Sequence, residues 1–198
     1  GSQREGVYLA GCATGPKDIP DSVIEAGAAV ARALTHVKRK LWPETMQVVP
    51  VDSEGEPRIG VFACHCGSNI AGVVNIGELV NFAKTLPGVV HAQDQMYSCA
   101  ANTLNDITGV LKEKRINRVV VAACSPKTHY ATFQGSLGRG GVNPYLLDMA
   151  NVRNMDSWVH KNNPEGALQK AKDMVKMSVM KAMNMKPRQP MKFPVTQK

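Results

Sequence analysis

The sequence has little of what would mark a membrane, secreted or nucleic-acid-binding protein. None of its apolar runs approaches the roughly 18–20 residues that a bilayer span needs. With no charged, apolar and small-residue leader at the start, a cytoplasmic protein without membrane insertion is expected. Aromatic residues make up only 5% of the chain. The formal charge is +8, and residues 161–198 hold nine Lys or Arg against two Asp or Glu. No aromatic or Arg-rich reading surface accompanies this excess, so nucleic acid is not an expected partner. A solvated tail or a docking surface for an acidic partner accounts for it better. Cysteines number only five, an odd count in a chain of cytosolic character. A disulfide framework is therefore a poor account, and metal binding or redox chemistry a better one.

What is present divides into segments. In residues 1–41, Val7-Tyr8-Leu9-Ala10 reads as a short strand and Gly11–Pro16 as a tight loop. A helix follows from about Pro20 to Leu41, with Val23, Ala26, Val30, Ala33, Val37 and Leu41 at helical spacing. One strand and one helix cannot bury a core. The segment reads as the end of a domain whose remainder lies elsewhere, and the chain as a fragment of something longer. Residues 42–57, rich in Pro, Gly and acidic residues, read as a linker.

From Arg58 strands alternate with helices. Strands are expected at Ile59–Ala63, Val89–Ala92, Arg118–Ala123 and Tyr145–Met149. Asn75 and Glu78 form a capping-box pair ahead of the stripe Ile76, Leu79, Val80 and Ala83. Leu104, Ile107, Val110 and Leu111 mark a second helix, and Tyr130, Phe133 and Leu137 a third, shorter one. This alternation predicts an α/β fold, a mostly parallel sheet with flanking helices in a Rossmann-like three-layer arrangement. A last helix is expected over Pro164–Met185, capped by Asn163 and stopped by Pro187. Residues 58–163 thus form the expected α/β domain, and 164–198 a terminal helix with a basic tail.

Placed on this map, Cys64 and Cys66 follow the first strand, Cys99 the second and Cys124 the third. All four fall just past the carboxyl ends of strands expected to be parallel, the edge where open α/β sheets bind ligands. The intervals are one, 32 and 24 intervening residues. That is neither a pair of zinc knuckles nor the compact run of a bacterial ferredoxin. Spacing alone leaves three readings: an iron–sulfur cluster, a zinc site or interaction module, and buried or redox-active thiols. His65, His91 and His129 read as surface or supporting groups. A single nucleophilic cysteine would need a base and an oxyanion hole. His129 and the helix start after Cys124 offer pieces of these and no geometry.

The stretches "VFACHCGSNIAGVV", "LPGVVHAQDQMYSC", "INRVVVAACSPKTH" and "NPYLLDMANVRNMDSWVHKNNPEGALQKAKDMV" resemble the amino-terminal domain of the A-type subunit of heterodisulfide reductase, over about residues 58–183. "EGVYLAGCATGPKDIPDSVIEAGAAVARAL" resembles the end of the flavin domain of that family. The flavin subunits of the quinone-interacting membrane-bound oxidoreductase complex are similar too. The resemblance implies an intracellular iron–sulfur flavoprotein that relays electrons with other subunits of such a complex. It implies no separate catalysis by this fragment. It makes Cys64, Cys66, Cys99 and Cys124 the ligands of one [4Fe-4S] cluster. It places Gly11, Cys12, Pro16, Lys17, Asp18 and Ile19 in a flavin-contacting loop, with FAD bound in the full-length protein and not by residues 1–41 alone. That segment would lie loosely or pair with another chain, a homodimer included. Some relatives carry a cysteine where this chain has Asp156, which raises the question of carboxylate ligation.

Overall fold

The computed structural model describes residue 2, residues 4–36, residue 53 and residues 55–189. The helix residues expected beyond His36, most of the linker and the end of the basic tail lie outside the described residues. The chain divides into two units, Gly1–Met46 and Gln47–Lys198.

The second unit is built on a four-stranded sheet, β1 (Ile59–Cys64), β2 (Val89–Gln95), β3 (Arg118–Ala122) and β4 (Leu147–Ala150). Every pairing is parallel, in the order β2-β1-β3-β4. The inner strands β1 and β3 are buried at every position. A strand covered on both faces reads as a continuous apolar run, as Val119–Ala122 does. At Gly60 a Cβ would sit 2.8 Å from Ile116 Cδ1, so only glycine lets β1 lie against that side chain. The edge strand β2 runs three residues further than its apolar start implies. Gln93, Asp94 and Gln95 look like loop in sequence, yet pair with Phe62, Ala63 and Cys64. At β4, Tyr145 belongs to the preceding turn, its N–H donating to Asn143 Oδ1 at 3.0 Å.

Five helices accompany the sheet: α2 (Ser68–Ala71), α3 (Ile76–Lys84), α4 (Ala101–Glu113), α5 (Pro126–Arg139) and α6 (Pro164–Asn184). The helix α3 packs on β1 and β2, and α6 packs on β3, β4 and α3. The helices α4 and α5 pack on each other, and α5 on β4. Right-handed crossovers require this arrangement. The chain leaves β1 in one direction to reach β2 and returns past it to β3 and on to β4, so α3 covers one face and α4 and α5 the other. The capping pair is reciprocal: Glu78 N–H donates to Asn75 Oδ1 at 3.1 Å, and Asn75 Nδ2 donates to Glu78 Oε1 at 3.0 Å. Asn163 caps α6 by accepting Gly166 N–H at 3.0 Å. The helix α5 is not the shorter one expected. Ser125 caps it and Pro126 occupies its first turn, so it starts well before Tyr130 and has 14 residues.

The first unit is a turn of 3-10 helix, Gly11–Thr14, followed by α1 (Ile19–His36), which has no buried residue. The expected strand Val7–Ala10 is not formed: Ala10 has an extended backbone, but the segment has no partner strand among the described residues. A strand is completed by a neighbour, and none is within this segment.

Candidate cofactor site

Because all four strands are parallel, their carboxyl ends share one edge. Sequence order reverses between β1 and β3, and their following loops part there to opposite faces. Such a switch point opens a crevice beyond the strand ends. Cys64 closes β1, Cys66 lies two residues on, and Cys124 lies two residues past β3. Cys99 sits in the loop after β2, on the other side of β1.

Cys64 is buried. Its Sγ accepts the Ser98 N–H at 3.4 Å and lies 3.9 Å from Met96 O. The loop that carries Cys99 is thereby fastened to the end of β1. Cys66 has φ +50 and Gly67 φ +57, a left-handed pair that turns the chain sharply off the strand. A cysteine there carries strain that a glycine would not. The bend is held by Asn69 N–H donating to Cys66 O at 3.1 Å and by His65 O accepting from Ile70 and Ala71. Cys124 is buried, while Cys99 is exposed.

The thiols sense one another. Although Cys99 is exposed as a residue, partial desolvation pushes its thiol above its ordinary pKa, and the charges of Cys64 and then Cys66 push it further, against the pull of Arg153. Burial likewise raises Cys124; Arg153 opposes, and Cys99 and Cys66 add to the rise. Strand order and parallel direction place four cysteines separated by up to 60 positions at one edge of the sheet. Among the described residues, no three His, Cys, Asp or Glu side chains are gathered closely enough for one metal ion. Buried polar atoms near Cys64 are without partners among the described residues: both side-chain polar atoms of Gln95, which is in register with Cys64, and Ser98 Oγ. Unpaired groups so buried are costly, and a bound polar group would relieve them.

A turn of π-helix, Arg153–Ser157, closes the same edge. Arg153 Nη1 donates to Cys66 Sγ at 3.4 Å, and its guanidinium lies 4.8 Å from the centre of the Trp158 ring. Such turns mark functional places in many folds. Sequence reasoning misses Arg153, because a solitary arginine carries no spacing signal. Asp156 is fully buried with both carboxylate oxygens unpartnered among the described residues. Burial raises its pKa, while Lys170 and His160 oppose the rise.

The histidines are engaged elsewhere. His65 Nε2 meets Asp94 Oδ2 at 2.8 Å and His91 Nε2 meets Gln93 Oε1 at 2.8 Å. His129 lies on α5, and its imidazole is not among the groups found around the thiols.

In the first unit, the residues matched to a flavin loop lie on or beside the 3-10 turn. Gly11 has φ +63, and its N–H donates to Glu25 Oε2 at 3.0 Å. Lys17 Nζ pairs with Glu25 Oε1 at 3.0 Å, and Asp18 Oδ1 accepts Asp21 N–H at 2.8 Å. Cys12, Pro16, Asp18 and Ile19 are exposed. Two of the six residues are thus already committed to Glu25.

A parallel α/β domain thus carries four cysteines and one guanidinium at the ligand edge of its sheet. No family model matches the chain. Curated relatives do. The chain is 48% identical over 143 residues to the A-type subunit of the H(2):CoB-CoM heterodisulfide,ferredoxin reductase of Methanothermobacter marburgensis, covering 72% of this chain and 22% of that one. Identity to an A-type iron-sulfur subunit of the CoB--CoM heterodisulfide reductase of Methanopyrus kandleri is 48% over 144 residues, 73% of this chain and 22% of the relative. A protein of Archaeoglobus profundus, named as like the A-type subunit of heterodisulfide reductase, is 44% identical over 146 residues, 74% and 21% of the two chains. Over these residues the chain is similar to the A-type subunits of heterodisulfide reductase. It spans about a fifth of the length of the curated relatives it matches.

Proposed function

We propose that the α/β domain, about residues 58–163 with α6 packed against it, is an electron-relay module. It would hold one [4Fe-4S] cluster through Cys64, Cys66, Cys99 and Cys124. The observation that carries this reading is the convergence of the four thiols on the switch-point edge, where each lies within charge reach of others. The name of one relative includes the words iron-sulfur subunit. The cluster would supply a one-electron carrier, and the chain's own residues would set its surroundings. Cys64 is fixed by the Ser98 N–H, a donor of the kind that tunes sulfur ligands. Cys66 is fixed by Arg153. The orphaned Gln95 and Ser98 groups suit a polar guest at this edge. A structural zinc ion would need its ligand atoms within about 2.3 Å of one point. The described thiols are not grouped for that, whereas a four-iron cube spreads its ligating sulfurs over separate corners.

The same reading assigns residues 1–41 to the end of an FAD domain, with Gly11, Cys12, Pro16, Lys17, Asp18 and Ile19 near the flavin in the full-length protein. The partners would be other subunits of a heterodisulfide-reductase-like or quinone-interacting complex in the cytoplasm. Among the described residues no helix is long and apolar enough to cross a membrane.

The deciding experiment is iron and acid-labile sulfide analysis of anaerobically prepared protein, with the EPR spectrum of the reduced form. Four irons and four sulfides per chain are expected. Cys64→Ser, Cys66→Ser, Cys99→Ser and Cys124→Ser should each lose most of the iron, and Cys12→Ser none. Colourless protein with stoichiometric zinc would defeat the reading. Equal iron loss from Cys12→Ser and Cys99→Ser would show the ligand set to be wrong.

A further inference from the structure

The geometry points to Arg153 as the residue that holds the Cys66 sulfur in place and sets the reduction potential of this site by its fixed positive charge. The inference rests on the cluster reading above and adds to it a residue outside the thiol set.

Three observations carry it. First, the guanidinium is half-buried and lacks a counter-ion: among the described residues no carboxylate forms an ion pair with it. Asp156 of the same turn has both its oxygens unpartnered among the described residues. A partly desolvated cation without a counter-ion is available to a negative group placed beside it. Second, it is aimed at sulfur. Nη1 donates to Cys66 Sγ at 3.4 Å. Third, it is held from behind. Its flat face stacks on Trp158, whose Nε1 donates to Asn69 Oδ1 at 3.3 Å. Its Nε donates to Asn154 Oδ1 at 3.4 Å. That same oxygen accepts the N–H of Ser125, the residue after Cys124, at 3.1 Å. Ser157 Oγ donates to Asn69 O at 2.8 Å, in the turn that follows Cys66. The π-turn thus ties the loops after β1 and β3 together and points a cation between them.

The physical consequence is direct. Accepting one electron adds a negative charge to a centre that four thiolates already make anionic. A fixed cation beside one ligating sulfur stabilises the reduced form more than the oxidised one. Arg suits this task better than Lys, because its planar fork can stack on an indole and donate at the same time.

The test is an EPR-monitored titration with dithionite on the anaerobic protein, alongside iron content and the melting temperature of the iron-free form. Arg153→Gln should keep the fold and shift the midpoint to lower potential. At the wild-type midpoint, the reduced-to-oxidised ratio should fall about tenfold, the size of one charge a few ångströms away in a partly solvated site. Arg153→Lys should recover most of that shift. Trp158→Leu keeps the charge but frees it, and should lower the potential part of the way. It also serves as the measurement if Arg153→Gln does not fold. A wild-type midpoint in Arg153→Gln, or in Trp158→Leu where only that variant folds, overturns the inference while leaving the cluster reading intact. So does a Lys variant that falls as far as Gln. Wild-type protein with no iron defeats the cluster reading and this inference with it.

Discussion

The two units spend their apolar residues in opposite ways. In the second, Phe62, Leu79, Ile107, Val120, Phe133 and Val179 are among many side chains with almost no exposure, and the two inner strands are covered on both faces. In the first, α1 buries nothing: Ile19, Val23, Ile24, Val30 and Leu34 remain 57–81% exposed. Both units show apolar residues at helical spacing, so periodicity does not separate them. The difference is the presence of a sheet to receive the stripe. An isolated helix of this length is marginal in water, whereas a packed one takes its stability from tertiary burial.

The largest test of that contrast is a pair of truncations in the whole chain. Phe62→Ala empties the centre of β1 and should destabilise the second unit by about 3–5 kcal/mol, read as an earlier denaturant midpoint by circular dichroism. Leu34→Ala removes a side chain that is already 62% exposed. It should move the same midpoint by no more than about 0.5 kcal/mol. Comparable losses from the two would mean that α1 is packed in solution and that the contrast is false.

A smaller effect concerns the orphaned carboxylate. Burial raises the pKa of Asp156, so the folded state holds its proton over a window above the ordinary carboxylate range where the unfolded chain has lost it. Folded protein then binds more protons than unfolded, and stability falls as pH rises through that window. Asp156→Asn should abolish this decline in the iron-free protein and add about 1–2 kcal/mol at neutral pH. An unchanged pH profile would show that Lys170 and His160, which oppose the shift, already neutralise the burial cost.

The two helix caps give a finer comparison. Asn75→Ala removes a cap from a packed helix and should cost about 1 kcal/mol of global stability. Asp18→Ala removes the bond to Asp21 N–H at the start of α1. It should reduce helical signal locally without moving the main unfolding transition. A shared shift of the transition would join the two units thermodynamically.

The same contrasts separate what is legible in the amino-acid order from what is not. The buried strand Val119–Ala122, the Asn75–Glu78 pair and the Asn163-Pro164 helix start are local signals, and each is found as expected. Placing four cysteines on one edge requires only strand order and parallel direction. Other features depend on neighbours that a sequence does not display. The polar end of β2 is a strand because β1 lies beside it. Val7–Ala10 is not one because no strand among the described residues lies beside it. Arg153 and the π-turn cannot be found from spacing, since their meaning comes from Cys66, 87 positions away. The polar pair in Met155-Asp156-Ser157-Trp158 offers no hint either, since only the fold shows that both of its members turn inward.

The smallest effect sets one carboxylate of each unit against the other. Glu25 accepts from Thr14 Oγ1 at 2.8 Å and from the Gly11 N–H at 3.0 Å, and pairs with Lys17. Its pKa is lowered, first by the Thr14 bond and then by Lys17. The sign is opposite to that of Asp156. Above the ordinary glutamate range the folded loop benefits from the ionised carboxylate, and it loses that benefit as pH falls through the lowered value. The pair is solvent-facing, so the contribution is screened by salt and local in extent. Acidification should therefore release the Gly11 amide first. The readout is its NMR chemical shift and hydrogen exchange, followed down through the ordinary carboxylate range and below. Glu25→Gln, which keeps an acceptor oxygen but does not titrate, should remove the pH dependence of the Gly11 amide. The second unit should pass through the same range without weakening at Asp156, whose proton is then held in both states. A Gly11 amide that ignores pH, or that moves together with the core amides of β1, would contradict the independence of the two carboxylates.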